Sequence, residues 1–432
     1  MKAIMSTLSS QPYKGTRDYY PADKHLQNYI FGVWRKVVES FGYEEYGAPL
    51  LEPIDVYAAK SGQELVNEQT YSFTDRGGRA VAIRPEMTPS ISRMVAARRQ
   101  ELAYPARLYS IANFMRYERP QRGREREFWQ LNVDLFGADS IQADTEIIMI
   151  ADRILRELGA NDGDFIIRLN NRHFIRYVTT QYLGLDEVQS QQLIKLFDRR
   201  NKITESDFDD QLNLIFEETG GDYITKVKAL LDANSLEDLP DGLQQSEGLT
   251  SVRQILEVLA QQGINNVVFD PTLMRGLDYY TGTIFEVFDT HPDNNRSLFG
   301  GGRYDGLVGM FGAEPISAVG VAPGATMLEN FLTVRGLNPA YTSSTDIYVV
   351  VIGEAEAKAL TVANQLRDGG VNVELDVTMR KFDKQLKTAL KKQVPYILFV
   401  GSKDNDEFTL KKVDDESEHR LSVDDILRQF AS

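Results

Sequence analysis

The 432-residue sequence predicts an α+β region built on an antiparallel sheet with flanking helices, a helical insertion, and a C-terminal α/β domain. Two strand-like segments, Arg107–Arg116 and Phe128–Phe136, follow one another with no helix between them, which favours antiparallel pairing. From about Asn171 to Gly263 the sequence follows helical patterns and is rich in acidic residues. Beyond the turn-rich segment RGLNPAYTSST, the chain alternates strand, helix, strand, helix and strand.

Local patterns justify each element in chain order. Apolar residues recur at helical spacing from Pro21 to Gly42, where the glycine predicts the helix end. Short strand-like pieces broken by proline and glycine follow Tyr43. Helical patterns return at Thr88–Gln100 and Asp144–Leu158, on either side of the two long strands. After the acidic helices, strand and glycine-rich texture resumes at Val267–Leu328.

These changes of sequence pattern predict the domain boundaries. The α+β region comprises residues 1–170 and 264–334, the insertion residues 171–263, the linker residues 335–345, and the C-terminal domain residues 346–432. Within the last domain, DIYVVVI, VNVEL and YILFVG predict strands, with helices over Glu354–Leu366 and Lys381–Lys391.

Composition excludes several kinds of protein and site. The chain has 48 Lys and Arg residues against 63 Asp and Glu, a net charge of −15, so any polyanion must meet a local basic patch. The absence of cysteine excludes disulfides, thiolate metal sites and cysteine nucleophiles. The four histidines are scattered without ligand spacing, which argues against a transition-metal site. Without a signal-peptide core or a long apolar run, the sequence predicts a cytoplasmic protein that does not enter a membrane.

The densest chemical signal is Asn113–Gly137, NFMRYERPQRGREREFWQLNVDLFG. Within it, eleven residues hold five arginines and no lysine: Arg116, Arg119, Arg122, Arg124 and Arg126. Arginine suits bidentate recognition of phosphate or carboxylate. Pro120 and Gly123 shape the loop, and Phe128 and Trp129 stand at its base, where a ring could stack on a nucleobase. The pattern indicates a site for nucleotide phosphates or an RNA end; a solvated charged hairpin is the plainer alternative.

Two further segments carry weaker signals. AIRPEMT, at Ala82–Thr88, is also explained by a strand that ends before a Thr helix cap. In Met274–Phe288 and Leu298–Leu307, MRGLDYYTGTIFEVF and LFGGGRYDGL, three successive glycines permit close approach of a ligand to the backbone. Their spacing fits neither a P-loop nor a dinucleotide fingerprint. For Tyr279 and Tyr280, burial as core aromatics is the alternative to a ligand pocket.

Together these segments resemble the histidyl-tRNA synthetase family, of class II of the aminoacyl-tRNA synthetases. The resemblance runs from KGTRDYYP, at Lys14–Pro21, to the C-terminus. ERPQRGREREFWQ is similar to the second class-defining motif and RGLDYYTGTIFE to the histidine signature. GYEEYGAPLLEP is similar to the first motif, whose proline, here Pro49, lies at a dimer interface. The resemblance implies an α+β catalytic domain, a helical insertion and a C-terminal anticodon-binding domain.

The implied activity is that of a histidine–tRNA ligase. It would activate L-histidine with ATP to histidyl-adenylate and transfer histidine to the 3′ end of tRNA(His). The resemblance also implies a homodimer and Mg²⁺ accompanying ATP, with no permanent prosthetic group and no metal site assigned to side chains. Preorganised guanidinium groups would stabilise the charge that gathers at the reacting phosphate.

The resemblance assigns site residues position by position. The implied catalytic residues are Arg116 and Arg275. The implied histidine-binding residues are Glu86, Thr88, Arg116, Gln130, Asp134, Arg275, Tyr279 and Tyr280, with Asp134 facing the imidazole. The implied ATP-binding residues are Arg116, Glu118, Arg124 and Phe128. The implied tRNA-binding residues are Gln121, Arg122, Lys384, Lys387 and Lys391.

One position departs from the family pattern. In AVGVAPGATMLENFL, Met327 occupies the place of the third motif's arginine, which contacts the γ-phosphate of ATP. Another arginine of the hairpin, such as Arg124, could serve instead, or ATP could bind differently or not be used. The alternative function is the non-catalytic, histidine-sensing regulatory subunit of ATP phosphoribosyltransferase, which resembles the synthetase core. The C-terminal domain and the intact ERPQRGR loop argue against it.

The C-terminal domain has its own basic stretch, Met379–Lys392. Lys384, Lys387 and Lys391 recur at spacings of three and four, which places them on one face of a helix. Solvated lysines are the plainer interpretation. With the resemblance, this face is expected to meet the anticodon stem through its phosphates.

Overall fold

The chain forms two compact units, Met1–Asn338 and Pro339–Ser432. The computed structural model describes residues 8–58, 68–200, 203–216, 221–233, 235–274, 279–294, 296–378 and 380–431. Within these ranges, no helix combines the length and the apolar character needed to cross a bilayer.

The first unit combines strands and helices along its whole length. Its strands are β1 (Glu44–Glu45), β2 (Leu51–Pro53), β3 (Ser72–Thr74), β4 (Ala80–Ile83), β5 (Ala106–Met115), β6 (Glu127–Phe136), β7 (Phe165–Asn171), β8 (Val267–Phe269), β9 (Thr283–Asp289), β10 (Ser297–Arg303) and β11 (Ala318–Val321). Its helices are α1 (Pro21–Ser40), α2 (Asp55–Ala58), α3 (Thr88–Ala97), α4 (Ile141–Glu157), α5 (Arg172–Tyr177), α6 (Glu187–Arg199), α7 (Glu205–Ile215), α8 (Gly221–Leu231), α9 (Glu247–Gln261) and α10 (Ala325–Arg335).

Eight strands form the large sheet in the order β1-β5-β6-β11-β10-β9-β7-β8. Its inner pairs are antiparallel, and only the outermost pairs, β1 with β5 and β7 with β8, are parallel. The predicted antiparallel sheet with flanking helices is therefore confirmed. A separate three-stranded sheet has the order β2-β4-β3.

One face of the large sheet is covered by helices. α1 begins at Pro21, a residue favoured in the first helical turn, and ends before Gly42, whose φ of +80° only glycine adopts easily. Its helically spaced apolar residues, including Trp34 and Val38, are fully buried against α4 and the strands. Burial of each such side chain stabilises the fold by about 1.5–3 kcal/mol.

The acidic segment is helical, as predicted. Its described residues contain α5 to α9, a π-helical turn at Val178–Tyr182 and a 3₁₀ turn at Asp241–Leu243. Their apolar faces join the same core as α4 and the large sheet, including Leu193, Leu212 and Leu249. The exact limits of this insertion, 171–263, stay a prediction.

The second unit is a mixed α/β domain. Its elements are β12 (Ile347–Ile352), α11 (Glu356–Asp368), β13 (Val373–Leu375), α12 (Phe382–Lys391), β14 (Tyr396–Gly401), β15 (Glu407–Lys412), β16 (Glu418–Ser422) and α13 (Val423–Phe430). The strand order is β13-β12-β14-β15-β16, parallel over the first three strands and antiparallel thereafter. The predicted strand–helix alternation is confirmed, but it was incomplete: β15, β16 and α13 were missed because EFTLKK and EHRLS are short and polar.

Candidate functional site

The candidate site lies on the face of the large sheet opposite α1, α4 and α9. Side chains alternate between faces along a strand, so Leu131, Val133 and Leu135 of β6 enter the helix-covered core. Asn132 and Asp134 therefore point to the other face, and both are buried. Register places polar groups in a row on that face.

Glycines on the two neighbouring strands make room for this row. Asp134 is paired with Gly320 of β11, which is paired with Gly302 of β10. A β-carbon on Gly320 would lie 2.6 Å from Asp134 Oδ1, and one on Gly302 would lie 2.8 Å from the ring of Tyr280. Asp134 thus occupies space that a larger residue at 320 would fill, and Tyr280 occupies space that a larger residue at 302 would fill.

Asp134 is the most electrostatically perturbed carboxyl group of the site. Its side chain accepts a hydrogen bond from the hydroxyl of Tyr304 through Oδ1. Burial raises the pKa of Asp134 to about 7, although the Tyr304 hydrogen bond acts in the opposite direction. Burial, and then the charge of Asp134, also raise the pKa values of Tyr304 and Tyr46 far above the ordinary tyrosine range.

Several buried polar atoms here have no hydrogen-bond partner among the described residues. They are Asp134 Oδ2, Asn132 Nδ2 and the hydroxyl of Tyr46. Leaving such atoms unpaired costs about 1–3 kcal/mol each, so native proteins rarely do so without a bound water or ligand. This part of the site fits a small polar ligand.

A second polar pair adjoins the first through tilted and edge-to-face tyrosine rings. The Tyr279 hydroxyl lies 3.3 Å from Glu86 Oε2, and both residues are buried. The Tyr279 ring centroid is 4.9 Å from that of Tyr280 and 5.9 Å from that of Tyr304. The structure therefore joins Glu86, Tyr279, Tyr280 and Asp134, all predicted site residues, through Tyr304.

Thr88 is the first residue of α3, two residues after Glu86, and is half-buried. The sequence also allowed Thr88 to be the helix cap, but that interpretation is wrong. Met87 holds the cap position, and no side-chain hydrogen bond caps the helix.

The hairpin loop, residues 116–126 between β5 and β6, begins beside this cluster. The Arg116 backbone N–H donates to the Arg126 carbonyl at 2.8 Å, and Arg116 Nε donates to the Pro85 carbonyl at 2.8 Å. The guanidinium carbon lies 5.3 Å from the ring centroid of Phe128. Arg116 is thus fixed between the residue that precedes Glu86 and an aromatic ring on β6.

The other loop arginines have different environments. Arg124 forms an ion pair of 3.0 Å with Glu118 and is more than half exposed. Arg126 is buried: its Nε donates to the Glu118 carbonyl, and its guanidinium carbon lies 4.0 Å from the Tyr117 ring centroid. Arg126 therefore holds the loop together, whereas Arg119 and Arg122 are exposed at its surface.

Trp129 does not share the site face with Phe128. Its ring centroid is 5.4 Å from that of Phe31 of α1, on the helix-covered side of the sheet. Of the two rings that the sequence offered for stacking on a nucleobase, Trp129 is therefore on the wrong face, because adjacent strand residues point to opposite faces. Phe128 instead stacks on Phe114 at 5.7 Å.

The remaining predicted site residues have the following environments. Gln130 Nε2 donates to the Ala322 carbonyl at 3.1 Å, which ties β6 to the chain entering α10. Gln121 and Arg122 are exposed at the loop tip, where Gln121 Oε1 accepts from Arg296 at 3.0 Å. Arg275 lies outside the described residues.

The lysines predicted to bind tRNA belong to the second unit. Lys384, Lys387 and Lys391 are exposed on α12, whose buried residues are Gln385 and Ala389. None of the three forms an ion pair within the described part of the chain. Across that part, no group of three or more His, Asp or Glu side chains is placed to hold a metal ion.

Sequence reasoning missed two tyrosines of the site. Tyr304 connects Asp134 with Tyr279, and Tyr46 interacts electrostatically with Asp134. Both lie in segments that the sequence singled out, GGGRYDGL and GYEEYGAP. Tyr304 comes two residues after the run Gly300–Gly302, which the sequence had already marked for close approach of a ligand, and this proximity was the signal that could have identified it.

This chain is similar to known proteins over nearly its full length. The family model for histidyl-tRNA synthetase matches residues 15–328, and that for an anticodon binding domain matches residues 346–432. A histidine–tRNA ligase of Leptospira biflexa is 40% identical over 431 residues, covering 98% of each chain. One of Haloarcula marismortui is 39% identical over 412 residues, covering 93% of each chain.

Solved structures share the fold. A histidyl-tRNA synthetase from Nostoc sp. superposes with a TM-score of 0.83 at 24% identity, covering 98% of this chain and 99% of that one. A protein from Bacillus halodurans, described as an ATP phosphoribosyltransferase regulatory subunit/histidyl-tRNA synthetase, gives 0.74 at 23% identity, covering 91% and 100%. The match to the family model over most of the chain and the full-length identity to curated relatives establish that this chain belongs to the histidyl-tRNA synthetase family.

Proposed function

We propose that this protein is a histidine–tRNA ligase, which forms histidyl-adenylate from L-histidine and ATP and then charges tRNA(His). The observation that carries the proposal is the buried Asp134 carboxyl group beside Gly320, with an Oδ2 that has no hydrogen-bond partner among the described residues. It adjoins the Glu86–Tyr279 pair and shares its strand with Phe128, over which Arg116 lies. A polar cluster next to the fixed guanidinium group of Arg116 suits an amino acid and a nucleotide together.

Histidine would bind along the polar cluster. Asp134 would accept a hydrogen bond from one imidazole nitrogen, with Tyr279 or Tyr280 fixing the other side of the ring. Glu86 and Thr88 would hold the α-amino group, and Gln130 would supply a further contact. A pocket that hydrogen-bonds the imidazole rejects amino acids that lack it, because its buried polar groups would then stay unpaired.

ATP would bind at the hairpin. In the reaction, a histidine carboxylate oxygen attacks the α-phosphorus, and the bond to diphosphate breaks. Arg116 would stabilise the charge developing on the α-phosphate, and Arg275 would do the same on the resemblance alone. Phe128 would contact the base, with Glu118 and Arg124 nearby, and Mg²⁺ would enter as part of the ATP substrate.

tRNA would bind through both units. The exposed tip of the hairpin, with Gln121 and Arg122, would meet the acceptor end. The exposed lysines of α12 would meet the anticodon stem, consistent with the anticodon-binding family match over residues 346–432. We further propose the boundaries 1–170, 171–263, 264–334, 335–345 and 346–432 as the functional divisions of the chain.

A homodimer is also proposed. Pro49, Leu50 and Leu51, of the segment that resembles the first motif, are exposed, and Phe73 of the same three-stranded sheet is exposed as well. Grouped exposed apolar side chains favour an interface with a second copy of the chain.

Histidine-dependent exchange of labelled diphosphate into ATP, followed by charging of tRNA(His), tests the function. The ligase requires both activities. The regulatory-subunit alternative predicts histidine binding without exchange or charging. That alternative is less supported, because the curated relatives named histidine–tRNA ligase match nearly the full chain.

A further inference from the structure

The N-terminal segment, residues 8–20 before α1, lies against the hairpin loop. The Arg126 backbone N–H donates to the Gly15 carbonyl at 2.7 Å, and Arg126 Nη1 donates to the Tyr13 hydroxyl at 3.0 Å. A β-carbon on Gly15 would come within 2.9 Å of Arg126 and Pro120. Such close approach requires glycine and shows that the segment and the loop are fitted to one another.

Arg17 extends from this segment to two carboxylates on different elements. Its Nε lies 3.2 Å from Glu125 Oε1 in the hairpin loop, and its Nη2 forms an ion pair with Glu329 of α10. Nη2 also donates to the Tyr19 hydroxyl at 2.9 Å. Glu125 in turn accepts from Thr326 of α10 at 3.0 Å. Arg17 therefore joins the N-terminal segment, the loop and the helix.

This junction surrounds the position of the missing arginine. Met327 lies between Thr326 and Glu329 in sequence, and a β-carbon on Gly123 of the loop would overlap its sulfur. The only basic residue of α10 is Arg335 at its far end, which is bound to Asp289 at 2.5 Å. The first turns of α10 thus carry no cation of their own, and Arg17 supplies one from another part of the chain.

The charges of the junction depend on Arg17. Glu329 is buried and has one oxygen, Oε1, without a hydrogen-bond partner among the described residues. Burial raises its pKa, and the ion pair with Arg17 opposes that effect. Without Arg17, the negative charges of Glu125 and Glu329 would stand unbalanced beside a loop that receives ATP phosphates.

We propose that Arg17 is a positioning residue for ATP: acting through Glu125 and Glu329, it fixes the hairpin loop against α10 where this chain has Met327. The inference rests on the proposed function, since it assumes that the loop binds ATP. Arg17 itself would not touch the reacting atoms. Its effect would reach ATP through the geometry of the loop residues.

A double-mutant cycle in diphosphate exchange tests this role. Arg17→Ala should raise the KM for ATP about tenfold, leaving the KM for histidine within about twofold. Glu125→Gln should act in the same direction, and the double variant should be no worse than the poorer single variant. Arg17→Lys should rescue only in part, because lysine lacks the planar fork that can bridge two carboxylates. Arg35→Ala, which removes an exposed ion pair with Glu45, is the matched control.

Trypsin cleavage after Arg122 and Arg124 supplies a readout independent of activity. Arg17→Ala and Glu125→Gln should both speed cleavage of the loop, while Arg35→Ala should not. Glu125→Gln also keeps the test usable if Arg17→Ala folds poorly, because Glu329 then keeps its partner. Faster loop cleavage in a protein without exchange would support the contact while overturning the proposed function.

Three results would overturn the proposal. Additive effects, with Glu125→Gln lowering the KM for ATP, would mean that Arg17 binds the phosphates itself. Equal changes in both KM values would mean that Arg17 serves the fold alone. If Arg17→Ala changes neither the exchange kinetics nor the rate of cleavage, Arg17 does not position the loop.

Discussion

Asp134 is buried, has a raised pKa and has one oxygen that no other described residue contacts by a hydrogen bond. β6 places it on the site face, Gly320 leaves room for its carboxyl group, and Tyr304 holds Oδ1. The sequence predicted the residue through the family resemblance. It could not predict the raised pKa, because the burial that raises it arises only when segments far apart along the chain pack around Asp134.

Replacing Asp134 with Ala should weaken histidine recognition selectively. Loss of a hydrogen bond to a charged or strongly polar group costs about 1.5–3 kcal/mol, which corresponds to roughly a 10- to 100-fold rise in the KM for histidine. The KM for ATP should change little, since Arg116 and Phe128 keep their contacts. Diphosphate exchange at varied histidine and ATP measures both. Equal histidine KM values in the variant and wild type would exclude Asp134 from the pocket.

Asp134 should also make stability depend on pH. Its pKa rises from an ordinary 3.8 to about 7 on folding, so the folded state holds a proton that the unfolded state releases. This group's contribution to stability is therefore present at low pH and is lost as pH rises from about 4 to about 7. Asp134→Asn should abolish this loss of stability with rising pH.

Melting temperatures of both proteins between pH 5 and pH 8 provide the measurement. As the pH rises to about 7, the melting temperature of the variant should increase relative to that of the wild type. Above pH 7 the difference between the two melting temperatures should stay constant. Parallel melting profiles across the range would show that Asp134 titrates normally.

At the scale of elements, register decides what meets at the site. The two long strands could be predicted because each has an apolar or alternating pattern of about ten residues. The pairing of β6 with β11 could not, because the acidic helices and other strands of the sheet lie between them along the chain. The side of the sheet on which Phe128 and Trp129 each lie was likewise set by tertiary packing, since α1 covers the Trp129 side.

Helix α12 carries a prediction about tRNA. Replacing Lys384, Lys387 and Lys391 together with Ala should lower affinity for tRNA(His), because each lysine that meets a phosphate releases counterions. The slope of log K against log salt should become shallower by about 0.9 for each duplex phosphate that the variant no longer neutralises. Filter binding at several salt concentrations measures both quantities.

Two controls frame this experiment. Diphosphate exchange should be unaffected, since the predicted adenylation residues belong to the first unit. A triple replacement in the acidic insertion, of Lys195, Lys226 and Lys228, removes the same charge from another surface and should leave the salt slope unchanged. If the α12 variant keeps its affinity for tRNA, the three lysines serve solubility and do not bind tRNA.

At the scale of the whole molecule, we predict assembly into a homodimer. Leu50 and Leu51 are each close to half exposed, as is Phe73 on the same small sheet. We expect light scattering at micromolar concentration to give twice the 48.9 kDa mass of the chain. Leu50→Asp combined with Leu51→Asp should shift the mass to that of one chain, because a charge buried at an interface is strongly unfavourable.

Leu360→Asp provides the control, since this leucine of α11 is equally exposed but lies in the other unit. It should leave the mass unchanged. A wild type with the mass of a single chain would contradict the dimer.

Local periodicity and contiguous motifs were enough to predict the fold class, the helical segment, the C-terminal α/β domain and the family. They also singled out Asp134, Glu86, Tyr279 and Arg116 as candidate site residues. Three features followed from tertiary packing: Tyr304 links Asp134 to Tyr279, Trp129 faces away from the site, and Arg17 reaches Glu329. Those contacts join residues that lie far apart along the chain, and packing and strand register alone bring them within bonding distance.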